Sequence, residues 1–291
     1  MTTKHSGHLM PIFLLIIAII STQTGASIVK QLFPLVGSQG AIALRFTLSA
    51  IILCIIFKPW RMRFERKAWL PIGLYGLSLG FMGFLFYFSI ARIPLGIAVG
   101  LEFAGPLTLA LFASRRPVDF IWVVLAIVGI LLLIPFDQST EHLDIIGVLY
   151  ALGAGVCWAI YIIVGQKVGT SHGARTVALG TLVATIVFLP IGIEHAGAQL
   201  FSPSILMTAL LVAILSTALP FTLELIALAR LPMRTFGTLM SLDPAFAALS
   251  GLILLSEQLT LIQWVALFAI CISSIGATLT IERPTPKTEH T

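Results

Sequence analysis

The stretch ARIPLGIAVGLEFAGPL, residues 91–107, returns 138 residues later as ARLPMRTFGTLMSLDPA, residues 229–245. Ala91, Arg92, Pro94 and Pro106 of the first match Ala229, Arg230, Pro232 and Pro244 of the second. Trp122 and Trp264 correspond as well, at a slightly larger offset. Two prolines at one spacing, entered through the same Ala-Arg-x-Pro start, argue against a chance likeness between apolar segments. The reading is a duplicated unit.

Each copy lies in an apolar run, and the rest of the chain is built the same way. Hydrophobic residues make up 58% of the 291 residues and charged ones only 10%, against about 25% charged in soluble domains. That is too little polar surface for a water-facing shell, so the solvent is a bilayer. A spanning helix needs about 20 mostly apolar residues. Ten runs qualify, near 11–30, 38–57, 70–91, 95–114, 118–135, 144–166, 174–192, 204–228, 234–254 and 259–281. The first run, Pro11–Ala26, continues into Ser27–Val29 without a processing pattern and is read as a helix rather than a cleaved signal. Cys54, Cys157 and Cys271 each sit inside an apolar run, with no CxxC pair, and read as packing residues.

The net charge of +5 would suit a nucleic-acid partner in a soluble protein. Here the basic residues gather in short loops, as cytoplasmic loops of membrane proteins do. With the N-terminus in the cytoplasm, 14 of the 17 Lys and Arg residues fall on that side, including Lys58, Arg61, Arg63, Arg66 and Lys67 in one loop. Lys30 and Arg92 fall outside and Arg45 within the second helix. Ten helices return the C-terminus to the cytoplasm. Five helices per copy is an odd number, so the copies cross the membrane in opposite senses. The expected fold is an all-α integral membrane protein with ten transmembrane helices in two inverted five-helix repeats, residues 1–137 and 138–291. Inverted repeats are a common architecture of secondary transporters, with the substrate site at the midplane.

An ionisable group at the centre of a span costs about 2.5–3.5 kcal/mol on insertion scales, so those present face a cavity or a partner. Glu102 lies near the middle of helix 4, with Gly105 and Pro106 behind it. Pro106 has no N–H for the carbonyl of Glu102, which opens the backbone beside the carboxylate. Glu102 is either a cation and proton site or half of a structural ion pair with Arg45. Asp243 stands before Pro244 in the equivalent helix, where it binds or shapes a kink. The repeat aligns Asp243 with Gly105, and Glu102 with Met240, so the two halves differ at this depth. Glu224, towards the cytoplasmic end of helix 8, either faces the site or reaches water, Arg230 or Arg234. Arg45 suits a substrate carboxylate, which a guanidinium binds bidentately. Lys30 reads first as an interfacial anchor. Gln23, Tyr87, Trp158 and Tyr161 are placed to add hydrogen bonds and an aromatic wall, although Trp and Tyr are common as interface anchors. Gly76, Gly80, Gly153 and Gly155 read as close-packing positions.

No phosphate loop, zinc pattern or calcium loop occurs, so no cofactor, metal or nucleic acid is expected. An intramembrane enzyme would need a nucleophile with its base, or a metal cluster. The histidines at 5, 8, 142, 172, 195 and 290 lie outside the spans or at their edges.

Several polar patterns inside apolar helices resemble one known family. These are GASIVKQLFPLVG (25–37), PLGIAVGLEFAGPL (94–107), SRRPVDFIWVVLA (114–126), CWAIYI (157–162), AILSTALPF (213–221) and RTFGTLMSLDPA (234–245). They resemble the EamA-type branch of the drug/metabolite transporter superfamily, and within it the threonine and homoserine exporters of bacterial inner membranes. The resemblance implies export of small amino acids in exchange for protons. A broader exporter of drugs, nucleosides or other metabolites stands as the alternative. On the first reading the substrate carboxylate lies near Arg45 and its amine near Glu102 or Asp243.

Overall fold

A computed structural model of the chain describes residues 6–61, 65–112, 117–133, 144–172, 174–228, 230–231, 236 and 239–280. Among them every regular element is a helix. The helices are α1 (Ser6–Lys30), α2 (Phe33–Phe57), α3 (Trp69–Ile90), α4 (Leu95–Glu102), α5 (Ala104–Phe112), α6 (Pro117–Leu133), α7 (Ile145–His172), α8 (Ala174–Ala196), α9 (Pro203–Ala213), α10 (Leu219–Leu228), α11 (Asp243–Leu255) and α12 (Leu261–Thr280). Six helical stretches are long and apolar enough to cross a membrane: Met10–Lys30, Phe33–Phe57, Arg66–Ile90, Ile145–Lys167, Arg175–Phe201 and Pro203–Glu224. Four shorter apolar stretches, Leu95–Leu109, Phe120–Leu133, Asp243–Leu255 and Leu261–Gly276, accompany them.

The ends of the expected runs move by a few residues, and three runs differ in kind. The run near 95–114 is two helices, because the ladder breaks at Phe103. Pro106 removes one backbone donor and forces the carbonyl four residues earlier to look elsewhere. The run near 204–228 contains a π turn, Ile214–Ala218, between α9 and α10. In the run near 234–254 the chain turns at Ser241 and Leu242, and α11 starts at Asp243 with Pro244 in its first turn. The second run begins earlier than expected, at Phe33, and kinks at Gly37, whose φ of 67° favours glycine. The division at residues 137 and 138 lies outside the described residues, as do Lys4, Arg63, Arg115, Arg116, Arg234, Arg283 and Lys287 of the charge pattern.

The helices pair as α2 with α8, α3 with α7, α6 with α12, α1 with α10 and α4 with α11. The outward faces are apolar: Phe120, Ile186, Met207, Ile253 and Leu261 are each more than 60% exposed. Such a surface is stable against lipid chains, which are as apolar as the side chains themselves. Between helices there is little hydrophobic drive in that solvent, so close packing holds them together. The tightest contact joins α5 to α7. A Cβ on Gly105 would run into the carbonyl of Gly155, and one on Gly155 would lie 2.5 Å from the carbonyl oxygen of Glu102. Two glycines therefore let the broken helix sit directly on α7.

Near the ends of α3 and α7, Asp144 caps α7 by accepting from the Ile146 N–H (2.8 Å) and takes a second bond from Arg92 (2.7 Å). The Arg92 bond first, and then that N–H, hold the Asp144 carboxyl below the usual carboxylate range.

Gly105→Val should lower the melting temperature of detergent-solubilised protein, by the roughly 1–3 kcal/mol of an overpacked core. Gly73→Ala, whose added Cβ meets nothing within 4 Å, should not. Equal melting of the two variants would refute the close contact.

Candidate functional site

The breaks in α4–α5, in α9–α10 and before α11 converge on one cavity of about 520 Å³. That lies within the range of small-molecule sites, about 300–1,000 Å³. Gln23, Arg45, Tyr87, Glu102, Trp158, Tyr161, Glu224 and Asp243, the eight polar and aromatic residues singled out in the sequence, all line it, as does Pro106. Pro244 does not line it and instead opens α11 behind Asp243.

Arg45 comes from the middle of α2. Its Nε donates to Thr217 Oγ1 (3.2 Å) and its Nη2 to the Ser216 carbonyl (3.3 Å). The guanidinium also lies 5.4 Å from the centre of the Tyr87 ring, within cation–π range. Its partners belong to the π turn, and the reason is local. Pro220 stands four residues after Ser216 and cannot donate to that carbonyl. Neighbouring π-turn carbonyls are engaged the same way, with Ser21 Oγ donating to the Leu215 carbonyl at 2.7 Å. Sequence reading missed Ser216 and Thr217. The signal was present in Pro220, and it is the same device that exposes the carbonyl of Glu102 before Pro106.

Among the described residues Arg45 makes no ion pair with Glu102, so the structural pairing weighed for these two is not formed. A guanidinium has five N–H donors, and two of Arg45's are used on the π turn. Glu102 ends α4 and is buried. Asp243, at the first turn of α11, accepts from Gln23 Nε2 at 2.8 Å, which ties α1 to α11 at the depth of the cavity. Glu224 lies on α10 and is not paired with Arg230, whose Nη1 approaches Met10 Sδ at 3.6 Å. Arg234, the other partner considered for it, lies outside the described residues. Lys30 is not a free interfacial anchor. It forms an ion pair with Glu257.

The apolar walls complete the site. Phe103 meets the Trp158 ring edge-on, with centroids 5.6 Å apart. The Tyr161 ring packs tilted against that of Tyr75, with centroids 4.7 Å apart, and the Tyr75 hydroxyl donates to the Tyr161 oxygen at 2.9 Å. Met240, the repeat counterpart of Glu102, also lines the cavity. Among its described lining residues, then, one guanidinium faces three carboxylates across an aromatic pocket. Such a site can hold a small zwitterion at both ends. No group of His, Cys, Asp and Glu among the described residues is arranged to hold a metal ion.

Residues 145–279 match the EamA-like transporter family. Over 274 residues the chain is 59% identical to the threonine/homoserine exporter RhtA of Salmonella typhimurium (strain LT2), covering 94% of this chain and 93% of that protein. It is 57% identical, with the same coverage, to the threonine/homoserine exporter RhtA of Escherichia coli (strain K12). The chain belongs to the EamA-like transporter family. A solved crystal structure shares its fold, with a TM-score of 0.63 at 16% identity over 95% of this chain and 98% of the other. That shared fold extends over nearly the whole protein.

Gln23→Ala removes the donor to Asp243 and leaves that carboxylate without the partner that ties α1 to α11. It should cost about 1–3 kcal/mol of stability, the penalty for stranding a buried polar group, read as a lower melting temperature. Gln23→Asn, too short to reach, should behave like Ala, and wild-type melting in both would refute the tie.

Proposed function

We propose that this protein exports threonine, homoserine and related small amino acids from the cytoplasm in exchange for protons, by alternating access. The observation that carries the reading is the 59% identity to a threonine/homoserine exporter, which runs over 94% of the chain. The cavity supports it chemically. A substrate carboxylate fits the N–H groups Arg45 has left, and the ammonium fits Glu102 or Asp243, as charge-assisted hydrogen bonds require. When the substrate leaves, a proton taken up by a carboxylate replaces the lost positive charge. Glu102 is the residue assigned to carry it. Gln23, Tyr87, Trp158 and Tyr161 shape the pocket, and Glu224 lies on the path towards the cytoplasmic end. No catalytic step, cofactor or nucleic acid enters this cycle.

The architecture proposed with it is ten spans in two inverted repeats, residues 1–137 and 138–291, in a bacterial inner membrane with both termini in the cytoplasm. The helix pairing supports the duplication. Count α4–α5 and α9–α10 as one span each, and the segment ending in α11 as the ninth. Exchanging each span with the one five places on leaves the pairs α2–α8, α4–α11 and α6–α12 unchanged and turns α3–α7 into α10–α1. The breaks at Phe103 and at Ser241–Leu242 fall at equivalent positions of the repeat. The loop charges support the orientation.

A second reading, a broader metabolite or drug exporter, draws on the aromatic walls, which would accept bulkier apolar groups. Competition of such compounds with labelled threonine distinguishes the two.

The test is threonine uptake into inside-out vesicles carrying the protein. Accumulation should depend on an acidic interior and collapse with a protonophore. Glu102→Gln should abolish it while the protein stays in the membrane. Proton-driven uptake at wild-type rate by that variant would remove the role given to Glu102. No uptake by the parent protein would overturn the substrate.

A further inference from the structure

Away from the cavity, one carboxylate joins the ends of three helices that line it. Glu257 follows the C-terminus of α11, where Ser256 takes a left-handed φ of 57° and the Glu257 N–H returns to the Gly251 carbonyl (3.1 Å). Its Oε1 accepts from Lys30 Nζ in the last turn of α1. Its Oε2 accepts from the N–H of Leu95, the first residue of α4, at 2.7 Å. The side chains of Lys30 and Glu257 are only 20% and 14% exposed, so this clasp is largely closed off.

Beneath the clasp the same three helices form a thin roof of small residues. A Cβ on Gly96 would lie 2.7 Å from the Ala248 Cα, so α4 and α11 touch backbone to backbone. Ser27 Oγ and Ser250 Oγ are 2.9 Å apart, and Ser250 Oγ donates to the Gln23 carbonyl at 3.1 Å. The first cavity-lining residues below are Ala26 and Val99, each four residues from the clasp. That is one helical turn, about 6 Å. From there the lining runs away from the clasp, to Glu224 on α10 and to Phe236. Beside these small residues the buried Val29, Leu95 and Ile97 share one apolar cluster with Ala247 and Ala248. The breaks at Phe103 and Ser241–Leu242 lie where α4 and α11 would turn if they parted.

We propose that Glu257, with Lys30 and the N-terminus of α4, is the latch of the outer gate: it holds the cavity shut on the external side, and its release lets the outer segments of α4 and α11 separate. Naming that side external rests on the orientation given under Proposed function. The latch gives a role to a lysine and a glutamate that stand at the ends of apolar helices in opposite halves of the chain. It also makes Glu257 a positioning residue for transport that touches no substrate.

The experiment reads the gate without using substrate. Cys54, Cys157 and Cys271 are replaced by Ser, and Ala26→Cys is introduced as the reporter under the roof. Right-side-out and inside-out vesicles are treated with a membrane-impermeant maleimide. Lys30→Gln and Glu257→Ala should each speed labelling from the external face by roughly fivefold or more, the low end of couplings that separate two conformations. Labelling from the cytoplasmic face should not speed up. Lys30→Gln alters one polar tip at a helix end, so it keeps the test valid if Glu257→Ala does not insert. Unchanged external labelling overturns the latch. A rise confined to the cytoplasmic face does so too, and a rise from both faces would mean general loosening and also overturns it. Threonine uptake by the parent protein separates the two proposals: a gate effect without uptake leaves the latch and removes the substrate, and uptake without a gate effect does the reverse.

Discussion

In a bilayer every backbone N–H and C=O must find its partner within the protein, because no water is there to supply one. That constraint organises this molecule. Most of the chain meets it with uninterrupted helices. Among the described residues α2 departs at Gly37, and three further spans break beside a proline that lacks a donor: Pro106, Pro220 and Pro244. The groups set free have to be met by side chains or by close backbone contact, and the polar residues of the protein gather where that happens. Arg45 reaches the π turn for this reason, and Ser21 donates to it from α1. The cavity is thus a by-product of broken helices.

The constraint also explains how glycines and charges share the work. Gly105 and Gly155 bring the broken α4–α5 span against α7, so the carbonyl of Glu102 lies against a backbone rather than a side chain. Apart from the loop charges, two settings of charged residues stand out among the described residues. Inside, Glu102, Glu224, Asp243 and Arg45 face the cavity. At helix ends, Arg92 with Asp144 and Lys30 with Glu257 tie separate segments together. Burial of a charge is costly in the cavity and at Lys30–Glu257, where polar surroundings or an ion pair offset the cost, whereas Arg92 and Asp144 stay partly exposed.

The membrane class, the apolar helical stretches and the charged residues of the cavity were legible in the sequence, since a charge or a proline inside an apolar run is conspicuous. Glu102 and Asp243 could be singled out from their own helices alone. Ser216 and Thr217 could not, because a hydroxyl in an apolar helix usually bonds its own preceding turn. Only Pro220 hinted that a carbonyl there was free. The Lys30–Glu257 contact was illegible, since 227 residues separate the partners and each alone reads as an interfacial charge.

The sequence by itself determined that the chain lives in a bilayer, roughly where its helices lie, that the backbone opens at Glu102 before Pro106, and which side chains cannot rest against lipid. Those properties follow from hydropathy and from proline's missing donor, both local to a segment. The tertiary structure alone decided that Arg45 binds the π turn instead of Glu102, that Gln23 holds Asp243, and that Glu257 joins α1, α4 and α11. These are contacts between helices. Apolar helices look alike on all sides, so their rotation about one another is set by glycine contacts and polar tethers that exist only once the helices have packed.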